Sequence, residues 1–391
     1  MTVFRIALLL ALVFPASVLA AAPEAGFTHT IQGYTVRFTD TSIDPDEDIV
    51  SYHWAFGDGT SSRLRNPIHT YLGQNWFSIG LRVTDSAGNT DYSHSTIEVV
   101  DPRIPVHVYD YWAKSGILWR NAATGSNHIW RWGLLERAYW IDSMHAQWRV
   151  AGTGAFKEAH FSGILWRNQV TGDNIIWNHG AQSSPAAVTA MPDQAWQVAG
   201  IGDFNADGRS DILWHHTVIG ASEVWYSADS TRRQVLTTVT DTAWKIVGVG
   251  DFNGDFFADI LWRHDGGANA IWLSGNYATQ QPIVGVTNPD WEVAGIGYFN
   301  NGFKADLIWR NRRTGANALW WSADYYQQPP MTGITNTDWT LACVADYDGD
   351  RRSDLLWHNQ VTGESVIWWY GLYEDQEALV TVPDTNWKII P

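Results

Sequence analysis

Apolar and polar residues alternate along most of the chain in short runs, and Gly, Asn, Asp and Pro punctuate them. Near the N-terminus Thr35–Phe38, Ile49–Trp54, Phe77–Val83 and Thr96–Val100 read as strands, with Asp44-Pro45-Asp46, Gly57-Asp58-Gly59 and Ser86–Asn89 as turns between them. Strands at this spacing over 26–101 predict an Ig-like β-sandwich. Farther along, one unit reads in full. Trp196–Gly202 alternates as a strand, Asp203–Asp211 is a polar loop, Ile212-Leu213-Trp214 is a second strand, and Glu223-Val224-Trp225 begins a third. The polar stretch to Thr240 leaves room for a fourth.

That unit recurs six times. A Leu-Trp or Ile-Trp dipeptide stands at Trp119, Trp166, Trp214, Trp262, Trp309 and Trp357, at spacings of 47 or 48 residues. Two further columns keep the register, one from Trp130, Trp177, Trp225, Trp272, Trp320 and Trp368, the other from Trp148, Trp196, Trp244, Trp291, Trp339 and Trp387. Together they account for 18 of the 25 tryptophans, so the columns have one structural job, that of filling the wedge between packed sheets. A period near 48 built of short strands predicts a β-propeller over 104–391, with six four-stranded blades. The first unit lacks its opening Trp-x-Val strand. Trp387–Ile390 is that strand without a following loop, so it is expected to complete the first blade and close the array. The fold class is all-β: a small sandwich, then a propeller.

Composition changes the picture in three ways. Met1–Arg5 carries one positive charge, Ile6–Phe14 is apolar, and small residues follow Pro15, which is the layout of a signal peptide over 1–22. No later segment is apolar enough to span a membrane, so the mature chain is expected to be soluble and secreted. A formal charge of −16 argues against general binding to nucleic acid or anionic lipid. A single cysteine, Cys343, excludes an internal disulfide framework, and in Leu341–Val344 it reads as packing.

In the first domain, Trp54-Ala55-Phe56-Gly57-Asp58-Gly59-Thr60, then Asn66–Tyr71 and Val83–Asn89, closely resemble a PKD domain, with Ala55 where that family usually has Asp. The resemblance implies an accessory, spacer or surface-binding role. Trp54 and Phe56 are expected in the core, and Gly57-Asp58-Gly59 serves either as a folding corner or as a ligand loop.

The repeats carry a candidate metal loop. Asp203, Asn205, Asp207 and Asp211 occupy positions one, three, five and nine of a tight loop, with a backbone carbonyl expected at Arg209. Oxygen donors at alternate positions suit a hard cation such as Ca²⁺. The loop recurs as Asp251, Asn253, Asp255, Phe257 and Asp259, and as Asp346, Asp348, Asp350, Arg352 and Asp354. Only the first has Gly at position six. Phe256 and Arg351 stand there otherwise, and a side chain in a left-handed turn costs about 1 kcal/mol, which predicts weaker binding. Elsewhere the pattern is lost: Tyr298, Asn300, Gly302 and Asp306 in one unit, Ala155, Lys157, Ala159 and Gly163 in another, Val108, Asp110, Trp112 and Gly116 in the first. Three structural calcium ions are expected. Gly202–Trp214, Gly250–Trp262 and Ala345–Trp357 resemble FG-GAP/VCBS repeats, which implies an integrin-α-like propeller and calcium loops but no particular function.

The functional expectation is a non-catalytic binding protein whose partner is an extracellular glycan or polysaccharide. Trp112, Trp132, Trp140, Trp321 and Trp369 break the columns and are the candidate sugar platforms. The triplets Trp119-Arg120-Asn121, Trp166-Arg167-Asn168 and Trp309-Arg310-Asn311 set an indole beside a hydrogen-bonding fork, although a solvated or ion-paired strand end accounts for them as well. A glycoside hydrolase or polysaccharide lyase is an alternative. It needs a constellation that breaks repeat symmetry, and His128, Glu136, Asp142, His145, His160, His179, His215, His216 and Glu223 form no recognisable motif. A protein-binding adhesion module is the third reading.

Overall fold

A computed structural model describes residues 21–32, 34–71, 75–99, 115–131, 134–157, 162–178, 182–300 and 302–391. The signal segment up to residue 20, Trp112 and Trp132 lie outside them. The chain divides into two units, Met1–Val99 and Val100–Pro391.

The N-terminal unit stacks a three-stranded sheet (Phe27–Gln32, Thr35–Asp40, Ile68–Thr70) and a four-stranded one (Ser61–Ser62, Ile49–Ala55, Asn75–Asp85, Thr90–Val99) around one core. Alternation decides which side chains enter it. Val36 and Phe38 come from the first sheet, and Ile79, Leu81 and Val83 from the second, while Arg37 and Arg82 point out. Trp54 is fully buried between Phe27 and Phe38, with ring centroids 5.2 and 5.3 Å away.

The C-terminal unit contains six antiparallel sheets among the described residues. The second runs Trp148–Gly154, Gly163–Asn168, Asn174–Asn178, Pro185–Val188, and the third Trp196–Gly202, Asp211–His216, Ser222–Trp225, Arg233–Val235. The fourth runs Trp244–Gly250, Asp259–His264, Asn269–Trp272, Gln280–Ile283. The fifth has Trp291–Gly297, Asp306–Asn311 and Asn317–Trp320, and the sixth Trp339–Ala345, Asp354–Asn359, Ser365–Trp368 and Gln376–Ala378. The first sheet is assembled from both ends of the unit. Gly116–Asn121, Asn127–Arg131 and Ala138–Ile141 are sequential, but Gly116–Asn121 takes Trp387–Ile390 as its other neighbour, pairing Trp387 with Asn121 and Ile390 with Leu118.

Each second strand is packed on both faces, which is why it reads as a continuous apolar run rather than an alternation. Buried clusters join neighbouring sheets in order. Leu165 and Ile176 of the second meet Ile212 and Trp214 of the third, and the series continues to Ile308 and Leu319 of the fifth against Leu355 and Trp357 of the sixth. One further cluster combines Cys343, Leu356 and Ile367 of the sixth sheet with Ile117, Trp119 and Trp130 of the first. Opening strands approach so closely that a Cβ on Gly200 or Gly248 would lie 2.3 or 2.2 Å from Val249 or Ile296 of the next sheet. The first two tryptophan columns are buried, and the third is half-buried.

One sequence expectation is corrected in extent. Glu223-Val224-Trp225 lies in the third strand as read, but the strand stops at Trp225 instead of continuing, and Tyr226–Ala228 turns away as a short 3₁₀ segment with Ser227 at φ 51°. Trp321 and Trp369 likewise each open a 3₁₀ turn directly after Trp320 and Trp368.

Candidate functional site

The three acidic loops begin where the opening strand stops and end where the second strand starts, so strand pairing fixes both ends of each loop. The position-one carboxylate faces inward and collects backbone N–H groups. Asp203 accepts from Asp207 and Gly208, Asp251 from Gly254 and Phe256, and Asp346 from Gly349 and Arg351, at 2.6–3.2 Å. The position-nine aspartate has a double job. One oxygen of Asp211 accepts from the Phe204 N–H, and the other accepts from Ser227 in the 3₁₀ turn. Asp259 does this with Phe252 and Ser274, and Asp354 with Tyr347 and Tyr370. Asp306 does it too, with Phe299 and Ser322, although its loop has lost the other acidic positions. The position-nine aspartate therefore ties the loop to the turn whether or not other carboxylates surround it. Sequence reasoning missed this second role; the signal was the survival of Asp306 in a degenerate loop.

Backbone strain is distributed evenly. Positions four and six are left-handed in all three loops: Ala206 and Gly208 at φ 55° and 77°, Gly254 and Phe256 at 83° and 70°, Gly349 and Arg351 at 81° and 75°. Each loop thus carries one glycine and one residue with a side chain in this region. The expectation that the first loop alone escapes the penalty is overturned, because its strained residue is Ala206.

Burial raises the pKa values of the carboxyls at positions one and nine, and neighbouring carboxylates add to the effect against their N–H bonds. Asp203 is pushed up to about 6, Asp346 and Asp259 to about 7, and Asp211 and Asp354 to about 8. Oxygens of Asp346, Asp348 and Asp354 lie within 4.8 Å of one another. The outer carboxylates have salt-bridge partners: Asp207 approaches Arg232 at 3.6 Å, and Asp350 pairs with Arg352 at 2.8 Å. Oxygens of Asp44, Asp48 and Asp85 also converge within 4.8 Å in the N-terminal unit. The sequence reading saw only turns there, because the three are brought together by tertiary packing.

The Trp-Arg-Asn triplets are neither open forks nor solvated ends. Arg310 is buried, donates to the Gly315, Ile334 and Trp339 carbonyls and to Asn317 Oδ1, and lies 4.9 Å from the Trp357 ring centroid of the next sheet. Arg120, Arg167 and Arg263 likewise lie over Trp166, Trp214 and Trp309. In the third and sixth sheets His215 and His358 replace Arg, and Ser222 and Ser365 replace the Asn partner. Their rings meet Trp262 and Trp119 edge-on at 5.6 and 5.5 Å. Arg goes with Asn and His with Ser because the shorter imidazole needs a hydroxyl at 2.9 Å where the guanidinium reaches an amide.

Of the irregular tryptophans, Trp140 is 65% exposed and Trp321 37%, while Trp369 is half-buried against the core shared by the sixth and first sheets. The titratable residues outside the pattern are held locally. His216 meets Asp193 at 3.1 Å, Glu223 accepts from the Trp225 indole at 2.7 Å, and Asp142 accepts from the Gln182 N–H. His160, His179 and the Glu136 side chain fall outside the described residues. Burial pushes the Cys343 thiol up to about 11, so it packs rather than reacts.

In the N-terminal unit the Gly57–Gly59 segment is a corner. The Tyr71 hydroxyl donates to the Phe56 carbonyl, and a Cβ on Gly57 would strike the Ser78 backbone at 2.8 Å. Burial works against the Asp58 charge, but bonds from Thr60 and His69 outweigh it and hold the carboxyl at about 2.

No helix among the described residues is long and apolar enough to cross a membrane. A family model for the PKD domain matches residues 20–100. Over 81 residues the chain is 40% identical to the pre-pro-metalloprotease PrtV of Vibrio cholerae, covering 21% of this chain and 9% of that one. Over 82 residues it is 37% identical to a microbial collagenase of Vibrio alginolyticus, covering 20% of this chain and 10% of that one. The chain thus spans about a tenth of the length of these relatives. The crystal structure of the PKD1 domain of Vibrio anguillarum Epp is 33% identical and is covered completely, against 22% of this chain, with a TM-score of 0.21. The matched residues include the Trp54–Thr60 corner and both flanking sheets, and residues 20–100 of this all-β chain are a PKD domain.

Proposed function

We propose that this is an exported, non-catalytic binding protein. In this reading a PKD module accompanies a calcium-stabilised, six-bladed β-propeller that recognises a glycan or polysaccharide. The observation that carries the ligand class is Trp140. It offers an exposed indole in the fourth strand of the first sheet, where the other four-stranded sheets place Ala187, Val235, Pro282 and Ala378. Two of the tryptophans that stand off the repeated columns, Trp140 and Trp321, are exposed, and an indole face stacks on the apolar face of a pyranose. The carboxylates, by contrast, are spent on loops and turns.

The propeller is supported by the cyclic order of the buried clusters and by the ring contact from His358 to Trp119, which repeats between the last and first sheets the contact that His215 makes to Trp262. Calcium is supported by the donor set. Buried carboxylates with raised pKa values gain most from a hard cation, and oxygen ligands at alternate positions suit one. Export is supported by the charged and apolar run Met1–Phe14.

A glycan and polysaccharide array probed with the mature protein in millimolar calcium, with a chelated arm, tests the reading. Binding to a defined sugar class that weakens on chelation is expected. Silence in both arms, or binding only to immobilised surface proteins, overturns it.

A further inference from the structure

Next to Trp140 the chain forms a cavity of about 260 Å³ among the described residues, at the seam where the first sheet meets the stretch that follows the sixth. Trp119, Trp130, Trp140 and Trp387 supply four of its walls, and His128 and Thr381 supply polar atoms. The cross-strand pair that builds its outer edge is His128 and Trp140. The equivalent pairs elsewhere are Ile175 with Ala187, Glu223 with Val235, Ala270 with Pro282 and Val366 with Ala378. Only the first of these five sheets pairs two rings at that register.

The rings are arranged, not merely present. His128 stacks on one face of Trp140 at 4.4 Å and 13°, so that the indole is braced from behind. Trp387 meets Trp140 at 5.7 Å and 59°, which leaves the remaining face tilted toward solvent rather than boxed in. The Trp130 indole donates to His128 Nδ1 at 3.2 Å, which places the His128 proton on Nε2 and holds the ring in its stacked orientation. Burial lowers the imidazole pKa and keeps the ring neutral. No Asp, Glu, Lys or Arg lines the cavity.

We propose that this cavity is a saccharide subsite that holds one neutral pyranose ring, with its apolar face on the face of Trp140 that His128 leaves open and a hydroxyl on the Thr381 hydroxyl. The assignment rests on the glycan reading above and names its site. The size favours one ring over a chain, since it falls just under the about 300 Å³ at which sites for larger ligands begin. The uncharged lining disfavours uronic or sulfated sugars, which would lose their hydration without gaining a counter-charge. A quaternary ammonium ligand needs several ring faces converging on one point, and here His128 already occupies one face of Trp140.

The test uses the full mature chain titrated calorimetrically with sugars selected on the array, together with a uronic acid and choline. Three variants accompany it: Trp140→Val and His128→Ile, which install the residues of the third and second sheets, and Tyr326→Ala as an exposed aromatic elsewhere. The expected result is one site per chain for a neutral sugar, weakened about tenfold or more by Trp140→Val and by a smaller factor in His128→Ile, with Tyr326→Ala unchanged and the Trp140→Val melting midpoint within a degree or two of the wild type. Sugar binding that survives Trp140→Val intact overturns the subsite and leaves the glycan reading standing. Absence of sugar binding by the wild-type chain overturns both. Preferential binding of choline or the uronic acid overturns the neutral-sugar assignment.

Discussion

The second and third sheets share a buried core, yet they secure their first loops by different means. In the third, Asp211 opens the second strand, and its two oxygens hold the loop at Phe204 and the turn at Ser227. The third strand is cut to four residues, and the chain turns through a left-handed Ser227. In the second, Gly163 stands at that position, and the third strand runs on to Asn178, which pairs with it. Lys157, at position three of the degenerate loop, instead reaches across to the Ser227 carbonyl at 3.0 Å. One side chain at the end of the loop thus decides where the third strand stops, and the acidic positions before it decide whether the loop carries buried negative charge.

The largest expected effect comes from removing the cation that the third sheet's loop is proposed to hold. Chelation is expected to lower the melting midpoint, with each occupied site contributing about 2.7 kcal/mol at a hundredfold excess of free ion over Kd, and calorimetric calcium titration should count three sites. A midpoint indifferent to chelator removes calcium from the account. Asp211→Ala and Asp306→Ala separate the tie from the metal. Each strands two backbone N–H groups, all buried except the half-buried one of Ser322, at a cost of about 3 kcal/mol read by denaturant melts. The Asp306→Ala loss should be the same with and without calcium, and the Asp211→Ala loss should shrink in chelator.

The titration of the same carboxylates sharpens the contrast further. Their folded pKa values are raised by burial, to about 8 for Asp211 and Asp354 and about 7 for Asp259, so the folded chain binds protons more tightly than the unfolded one. In chelator, stability should therefore climb as pH falls from about 8.5 toward 6, and saturating calcium should flatten that climb. A chelated midpoint that falls over this range would contradict the burial argument. Arg310→Lys should cost about 1–2 kcal/mol, since an ammonium cannot fork between Asn317 and three carbonyls. The smallest effect is a gain: Ala206→Gly relieves a left-handed alanine and should add about 1 kcal/mol, whereas Gly208→Ala should remove a similar amount.

Much of this was legible in the sequence, for identifiable reasons. The strand Trp196–Gly202 reads correctly to the residue, because one face alternates and Asp203 ends it. The pairing of Trp387–Ile390 with the first sheet follows from an opening Trp-x-aliphatic segment missing ahead of Gly116 and present at the end as Trp387-Lys388-Ile389. Three things were not legible. Strand termination at Trp225 depends on a carboxylate 14 residues earlier, across the sheet. The clamp role of Arg310 depends on a tryptophan in the next sheet, 47 residues away. The cavity beside Trp140 joins positions more than two hundred residues apart, and periodicity within one repeat carries no information about such a seam.

The assembly of the first sheet from both ends of its unit has a mechanical meaning. Gly116–Asn121 and Trp387–Ile390 are antiparallel, with Leu118 opposite Ile390, so the chain enters and leaves at the same end of the pair. Tension applied between Gly116 and Pro391 would load these backbone bonds one after another, like a zipper pulled from its open end, instead of shearing them together. The indole of Trp387, at the far end opposite Asn121, would be the last contact to part.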